Sequence, residues 1–195
     1  SMAETTGLPQ DSASAGNHAS AGNVSFVPAG LIGGSARLGG GGGLQAGAPS
    51  LGAGSGFTLS FWVKPERAEG QLLAYGGLVL DLVQGAPAAT VGTARAAAPA
   101  PLSLNAWHHL AVSWDASALT LYVNGQPVAT AAAPFAAADA LVLGAGLVGE
   151  LDEVQIATAA RPAAWVAASV DSQGMATKLV RQGEERNNIA GAFLK

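Results

Sequence analysis

The 195-residue chain contains no cysteine. That absence removes zinc–thiolate sites, disulfides and thiol nucleophiles together, and leaves the redox compartment open. Charge is also scarce: 11% of residues are charged and the net charge is −4. There is neither a basic stripe to neutralise phosphates nor an acidic block to act as a tail, so nucleic acid is not expected as a partner. No apolar run approaches the ~20 residues of a membrane helix, because Gly, Pro and polar residues interrupt every one. The start, Ser1-Met2-Ala3, lacks the charged-then-apolar pattern of a signal peptide and reads as a cloning scar. The chain is therefore expected to be an excised fragment.

What the sequence does contain is alternation. Trp107 to Asp115 and Leu119 to Val128 are two runs of alternating apolar and polar residues. A short Asp-Ala-Ser turn joins them, and Asn124-Gly125 suits a type I′ reversal into Gln126 to Thr130. Phe57 to Pro65 alternates as cleanly, with Phe57, Leu59, Phe61 and Val63 on one face, and Pro65 ends the strand. Gln71 to Tyr75 and Leu78 to Val83 form a hairpin turned at Gly76-Gly77, and Leu141 to Leu143 and Gly149 to Ile156 are the last strands. Ala86 to Pro101 reads as an Ala/Pro-rich connection with one weak strand. Residues 1–23, taken alone, read as loop. The five glycines Gly39 to Gly43 suit a wide turn between strands; no Lys-Ser/Thr follows, as a phosphate cradle would need. Arg161 to Val170 reads as a short helix with Pro162 near its first position and Trp165 packing inward.

The motifs Trp107-His108-His109-Leu110-Ala111-Val112-Ser113-Trp114-Asp115, Leu121-Tyr122-Val123-Asn124-Gly125 and Phe57-Thr58-Leu59-Ser60-Phe61-Trp62-Val63-Lys64-Pro65 resemble those of the laminin G-like domains of the concanavalin A-like lectin superfamily. Asp11 to Ala19 is similar to the family's opening D-x-S-G-N stretch, and Gly149 to Ile156 to its closing G-x-[IL]-D-E-[VI] stretch. The resemblance implies an all-β, antiparallel β-sandwich of jelly-roll, concanavalin A-like type with about a dozen strands and one short C-terminal helix. It implies one domain over residues 11–170, with residues 1–10 ahead of it and 171–195 as a polar linker or added strand. That last stretch resembles the segment following such a domain in some bacterial MotA/TolQ/ExbB-type proton-channel proteins, whose parent chains are membrane-anchored.

Among chemistry-bearing residues, Glu150-Leu151-Asp152-Glu153 stands first. Regular alternation puts Asp152 on the apolar, inward face with Val154 and Ile156, and a buried carboxylate needs a partner. Two uses are open: accepting backbone hydrogen bonds that fix a loop, or binding calcium. In relatives the equivalent Asp helps hold calcium, and the resemblance makes Asp11 and Asn17 its partners here; however, the family's F-D-G carboxylate is missing and calcium wants six to eight oxygens. A laminarinase-type glycosidase would need E-x-D-x-E or E-x-D-x-x-E, but positions 154 and 155 are Val and Gln. No G-x-S-x-G elbow exists. The chain is read as a non-enzyme.

His108 and His109 face opposite ways on their strand, one buried and hydrogen-bonded beside Leu110, Val112 and Trp114, the other solvated; His18 has no partner in sequence. The tryptophans read as packing residues. Tyr75, beside a Gly-Gly turn, is the exposed aromatic candidate for ligand binding, and Asn124 the polar one. The function expected is non-catalytic recognition outside the cytoplasm, periplasmic or secreted. The partner is a cell-envelope protein or, alternatively, a glycan bound with or without calcium.

Overall fold

The computed structural model describes residues 19–47, 51, 56–135 and 140–174. It contains twelve strands and one helix: β1 Ala19–Val27, β2 Ser35–Gly47, β3 Phe57–Pro65, β4 Gly70–Tyr75, β5 Leu78–Val83, β6 Ala86–Val91, β7 Ala94–Ala97, β8 His108–Trp114, β9 Ala118–Val123, β10 Gln126–Ala132, β11 Ala140–Leu143, β12 Val148–Ala157 and α1 Ala163–Gln173. Strands follow one path, β10-β9-β8-β3-β12-β2-β11-β4-β5-β6-β7, with β1 paired to β2. The pairings are antiparallel, as in β3 with β8 and β4 with β5.

The long strand β2 turns this path into a sandwich. Its first part, Ala36 to Gly39, pairs with β12, and its last part, Leu44 to Gly47, pairs with β11. The ladder folds over at β2, and β7 comes to lie against β10. Leucines from both halves fill the space between: Leu38, Leu59, Leu110 and Leu121 from one, Leu73, Leu80, Leu141 and Leu143 from the other, each at most 4% exposed. Burying each side chain contributes about 1.5–3 kcal/mol. Phe57, Tyr75, Trp114 and Phe135 form an aromatic cluster within this core, with ring centroids 4.8 to 6.2 Å apart.

Three expectations change. The glycine run is strand, not turn: Gly39 to Gly43 lie inside β2. Gly22 pairs with Gly43 and Val24 with Leu38, so four glycines of β2 stand opposite the single residue Asn23. Strand pairing uses the backbone alone, and at Gly40, φ +84°, only glycine is unstrained. The connection after Val83 is a full hairpin, β6 with β7, because alternate small residues such as Ala89, Val91 and Ala96 are apolar enough to cover the core. The loop reading of residues up to 23 fails over its last part, where β1 gains its order from β2.

The helix α1 runs three residues past Val170, and its buried residue is Val166 rather than Trp165. The reason is close approach. At the β9–β10 turn, Asn124 (φ 49°) and Gly125 (φ 81°) take the two left-handed positions, and a Cβ on Gly125 would stand 3.0 Å from the Ala167 Cα. Only small residues fit between helix and turn. The Trp165 ring, partly buried, goes to the flank, where the Arg161 guanidinium stands 5.1 Å from its centroid. Among the described residues no helix is long and apolar enough to cross a membrane.

Candidate functional site

The outer face of β12, β3, β8 and β9, turned away from the leucine core, carries the polar chemistry. Strand register sets it in rows: Glu150 beside Lys64, then Asp152 beside Trp62 beside His109. Asp152 is therefore not on the face of Ile156, as simple alternation predicts. Glu153 and Val154 together stand opposite Phe61, a bulge with Glu153 at φ 48°, and the inserted residue reverses the parity beyond it. Ile156 faces the core with Leu59, while Asp152 faces outward.

Asp152 is nevertheless fully buried. The loop Gly30 to Gly34 closes over it. Its Oδ2 accepts from the backbone N–H groups of Leu31 (2.9 Å) and Ile32 (3.0 Å), and its Oδ1 from the N–H of Glu153 (2.8 Å). The loop fits so closely that a Cβ on Gly30 would stand 2.7 Å from Oδ2 and 2.7 Å from the Gly34 carbonyl carbon. Burial pushes the Asp152 pKa above the ordinary carboxylate range, and the three amide donors offset only part of that.

Glu150 is also buried, 4% exposed, in a different setting. It accepts from the Ser35 hydroxyl at 2.7 Å and the Lys64 ammonium at 3.1 Å, with Arg37 at 3.6 Å and Arg37 in turn bridged to Glu66 at 2.8 Å. Burial alone would raise its pKa, but the hydrogen bonds and charges of Ser35, Lys64 and Arg37 together hold it below the ordinary range. The Lys64 ammonium also stands 6.0 Å from the Trp107 ring centroid.

These environments decide what the carboxylates can do. Oδ2 of Asp152 takes two N–H donors and Oδ1 one, and no cluster of three or more metal-binding side chains exists among the described residues. The expected calcium partners Asp11 and Asn17, like His18, lie outside the described residues. Glu150, tied to two cations and a hydroxyl, is a stably ionised structural anion, with no acid/base carboxylate at position 154 or 155 to work with it.

Beside this network lies an open groove. Asn23, Val24, Ser25, Arg37, Leu38, Gly39 and Val148 line a depression of about 360 Å³ between β1, β2 and β12. Gly39 is the one glycine of the bulge in its lining, and the position a Cβ would take there has nothing within 4 Å. Asn23 donates to the Gly41 carbonyl at 3.2 Å across the bulge. Exposed Asn23, Ser25 and Arg37 converge on it. Arg37 thus joins the groove to Glu150. The only trace of this site in the sequence is the glycine run.

The other candidates fall elsewhere. Tyr75 is a core residue, 1% exposed, with its hydroxyl accepting from the Leu51 N–H at 3.0 Å, so it presents no ring to a ligand; the hairpin turn beside it exposes Gly76 and Gly77 instead. Asn124 is exposed, but its Oδ1 accepts from the His109 N–H at 2.9 Å, a turn-fixing role far along the sheet from the groove. Of the two histidines one is buried, as expected, but on the face opposite Leu110 and Val112 and without a ring hydrogen bond. His108 sits at the strand end, its Nε2 3.0 Å from the Ser103 hydroxyl. His109 is the buried one, on the outer face, edge-on to Trp62 at 5.3 Å, and neither ring nitrogen has a hydrogen-bond partner among the described residues.

Residues 38–167 match the Laminin G 3 family, described as concanavalin A-like lectin/glucanases superfamily. No curated protein matches the chain. Among solved structures, the binding domain of Paraclostridial Mosquitocidal Protein 1 is similar with TM-score 0.69 and 16% identity, over 84% of this chain and 49% of that one. Botulinum neurotoxin type C, whose cell entry depends on interaction with two ganglioside molecules, gives TM-score 0.67 and 12% identity over 84% and 48%. The binding domain of botulinum neurotoxin DC, in complex with rat synaptotagmin II, gives 0.69 and 11% over 85% and 49%. The chain spans about half the length of each. At such identities the likeness is one of fold.

Proposed function

Because the chain belongs to the concanavalin A-like lectin/glucanases superfamily through residues 38–167, we propose that it is a non-catalytic recognition module, working outside the cytoplasm as part of a larger protein, whose groove between β1, β2 and β12 takes a saccharide unit of a cell-envelope glycan. The observation that carries this reading is the groove itself. Its volume of about 360 Å³ is at the small end of ligand sites, which run from ~300 to 1,000 Å³. An amide, a hydroxyl and a guanidinium converge on it beside the side-chain-free Gly39, and such groups match the hydroxyls of a sugar. Non-catalysis is supported by the commitment of Glu150 and Asp152 to structural hydrogen bonds.

A protein partner is the second reading. It is favoured by the exposed large apolar residues among those described, Ile32, Val83 and Leu104, none of which is an aromatic that could stack on a sugar. The similar toxin binding domains take both classes of partner, gangliosides in one and synaptotagmin II in another. A place beside a MotA/TolQ/ExbB-type channel rests on the stretch from Ser172 onward, nearly all of it outside the described residues, and draws no support from the fold.

The test is a glycan array run with calcium and with EDTA on the chain and on its Gly39→Leu variant. The added side chain enters open space at an ordinary φ, so the variant should fold as the parent does while its groove is filled. Binding in both conditions, lost in the variant, is the expected result. Saccharide binding that survives Gly39→Leu would place the site elsewhere, and binding to no glycan in either condition would turn the search to a protein.

A further inference from the structure

We infer that α1 is a clasp that releases from the sheet in acid, with His109 as the residue that opens it. The helix touches the outer face at three places surrounding this histidine. Val166 packs on Ala111 and Tyr122; Ala167 and Val170 close on Gly125; and Gln173 accepts from the Trp62 indole N–H at 3.0 Å. His109, 1% exposed, lies between Trp62 and the Asn124-Gly125 turn, two of the places on which the helix closes. Its two ring nitrogens have no partner among the described residues. A neutral imidazole leaves one donor and one acceptor unsatisfied there, and an imidazolium would bury a charge with none to meet it.

No neighbouring charge changes this. Across Trp62 the row ends at Asp152, whose oxygens are filled by amides, and the adjacent Glu153 belongs to the same strand. On β3 the nearest charge is Lys64, held by Glu150; β9 brings Tyr122, and α1 brings the exposed Asp171. Burial accordingly pulls the His109 pKa down from 6.5 to about 4, with no carboxylate offsetting it. The docked helix prefers neutral histidine, and the released state, in which water reaches the ring, accepts the proton at the ordinary value. The ratio of released to docked helix therefore rises by up to about tenfold per pH unit, about 80-fold between pH 6.5 and 4 and towards about 300-fold across the whole titration. Release uncovers Trp62, Ala111 and Tyr122.

The experiment is a pH titration from 7.5 to 3.5 of the isotope-labelled chain by NMR. It follows the His109 ring, the Trp62 indole N–H, the α1 amides and, as reference, the amides of β4 to β6. The Trp62 and α1 signals should move with the His109 titration while the reference amides keep their shifts. In His109→Phe, or in His109→Gln should the first variant fold poorly, that transition should vanish. His108→Gln should retain it. An α1 that stays docked to pH 4 overturns the inference, as does a transition that survives both His109 variants, or one in which β4 to β6 unfold together with the helix.

Discussion

Replacing Asp152 measures how much the loop Gly30 to Gly34 depends on one carboxylate. In Asp152→Ala the N–H groups of Leu31, Ile32 and Glu153 lose their acceptor in a part-buried site. A hydrogen bond to a charged group is worth about 1.5–3 kcal/mol, and removing a partner from a buried charged network costs about 3–5 kcal/mol, less than the sum of its bonds. Asp152→Asn behaves differently. Its side-chain oxygen keeps the Leu31 and Ile32 amides and only the Glu153 N–H is lost, while the burial that pushes the Asp152 pKa up no longer opposes folding. The amide variant should therefore cost only about 1 kcal/mol.

Urea unfolding reads the difference: with a slope of about 2 kcal/mol/M, the alanine midpoint falls by about 1.5–2.5 M and the asparagine midpoint by about 0.5 M. Because the folded-state pKa is raised, the stability contributed by Asp152 is fully present below its unfolded pKa of 3.8 and is lost as pH rises through the folded value. The penalty of Asp152→Ala should accordingly be larger at pH 4 than at pH 7. Equal midpoints for the alanine and asparagine variants, or an alanine penalty under 1 kcal/mol, would refute this account of the loop. Calcium at millimolar concentration should leave the parent midpoint in place; a shift present in the parent and absent in Asp152→Ala would show that the carboxylate binds the ion after all.

Gly30→Ala forces a methyl against Asp152 and the Gly34 backbone and should destabilise by about 1–3 kcal/mol in the same assay, with cleavage by protease concentrated in the loop. Tyr75→Phe removes the acceptor of the Leu51 N–H inside the aromatic cluster and should cost about 1–2 kcal/mol without altering any binding, as thermal unfolding and the glycan array would show. Glu150→Gln weakens the anchor of both Lys64 and Arg37; since the Glu150 pKa is lowered in the fold, its contribution is present above the unfolded pKa of 4.5 and fades below it. The stability gap between parent and variant should thus narrow as pH falls from 6 to 3.

The strands were legible wherever alternation was regular. Phe57 to Pro65 and His108 to Val123 carry a period of two with large apolar residues, and their bounds and inward faces follow from it. Legibility failed where a local device broke the period. The extra residue at Glu153 reversed the face of Asp152, and nothing in Glu150-Leu151-Asp152-Glu153 announces a bulge. The glycines of β2 carry no side-chain pattern, so only their partners β1, β11 and β12 reveal them as strand. Alanine in β6 and β7 reads as neither strand nor loop until a core stands behind it. The groove escaped because its lining residues are brought together by strand pairing. Arg37 and Asn23, 14 positions apart, meet only through the register of β1 on β2. His109 shows the converse, since adjacency to His108 revealed that they diverge but not which one the helix covers.

The long strand shared by both halves has a further consequence for how its sequence can drift. A glycine run can slide along a neighbour without moving any side chain from one face to the other, so the run itself stores no register. What stores it is the pair of leucines at its ends, Leu38 and Leu44, 2% and 1% exposed, one seated in each half of the core. The segment between them works as a spacer of fixed length. Its residues are exchangeable where space is open, as at Gly39, but their number is not: adding or deleting one would leave a leucine facing water in one half or the other. The low-complexity look of this stretch conceals a strict count.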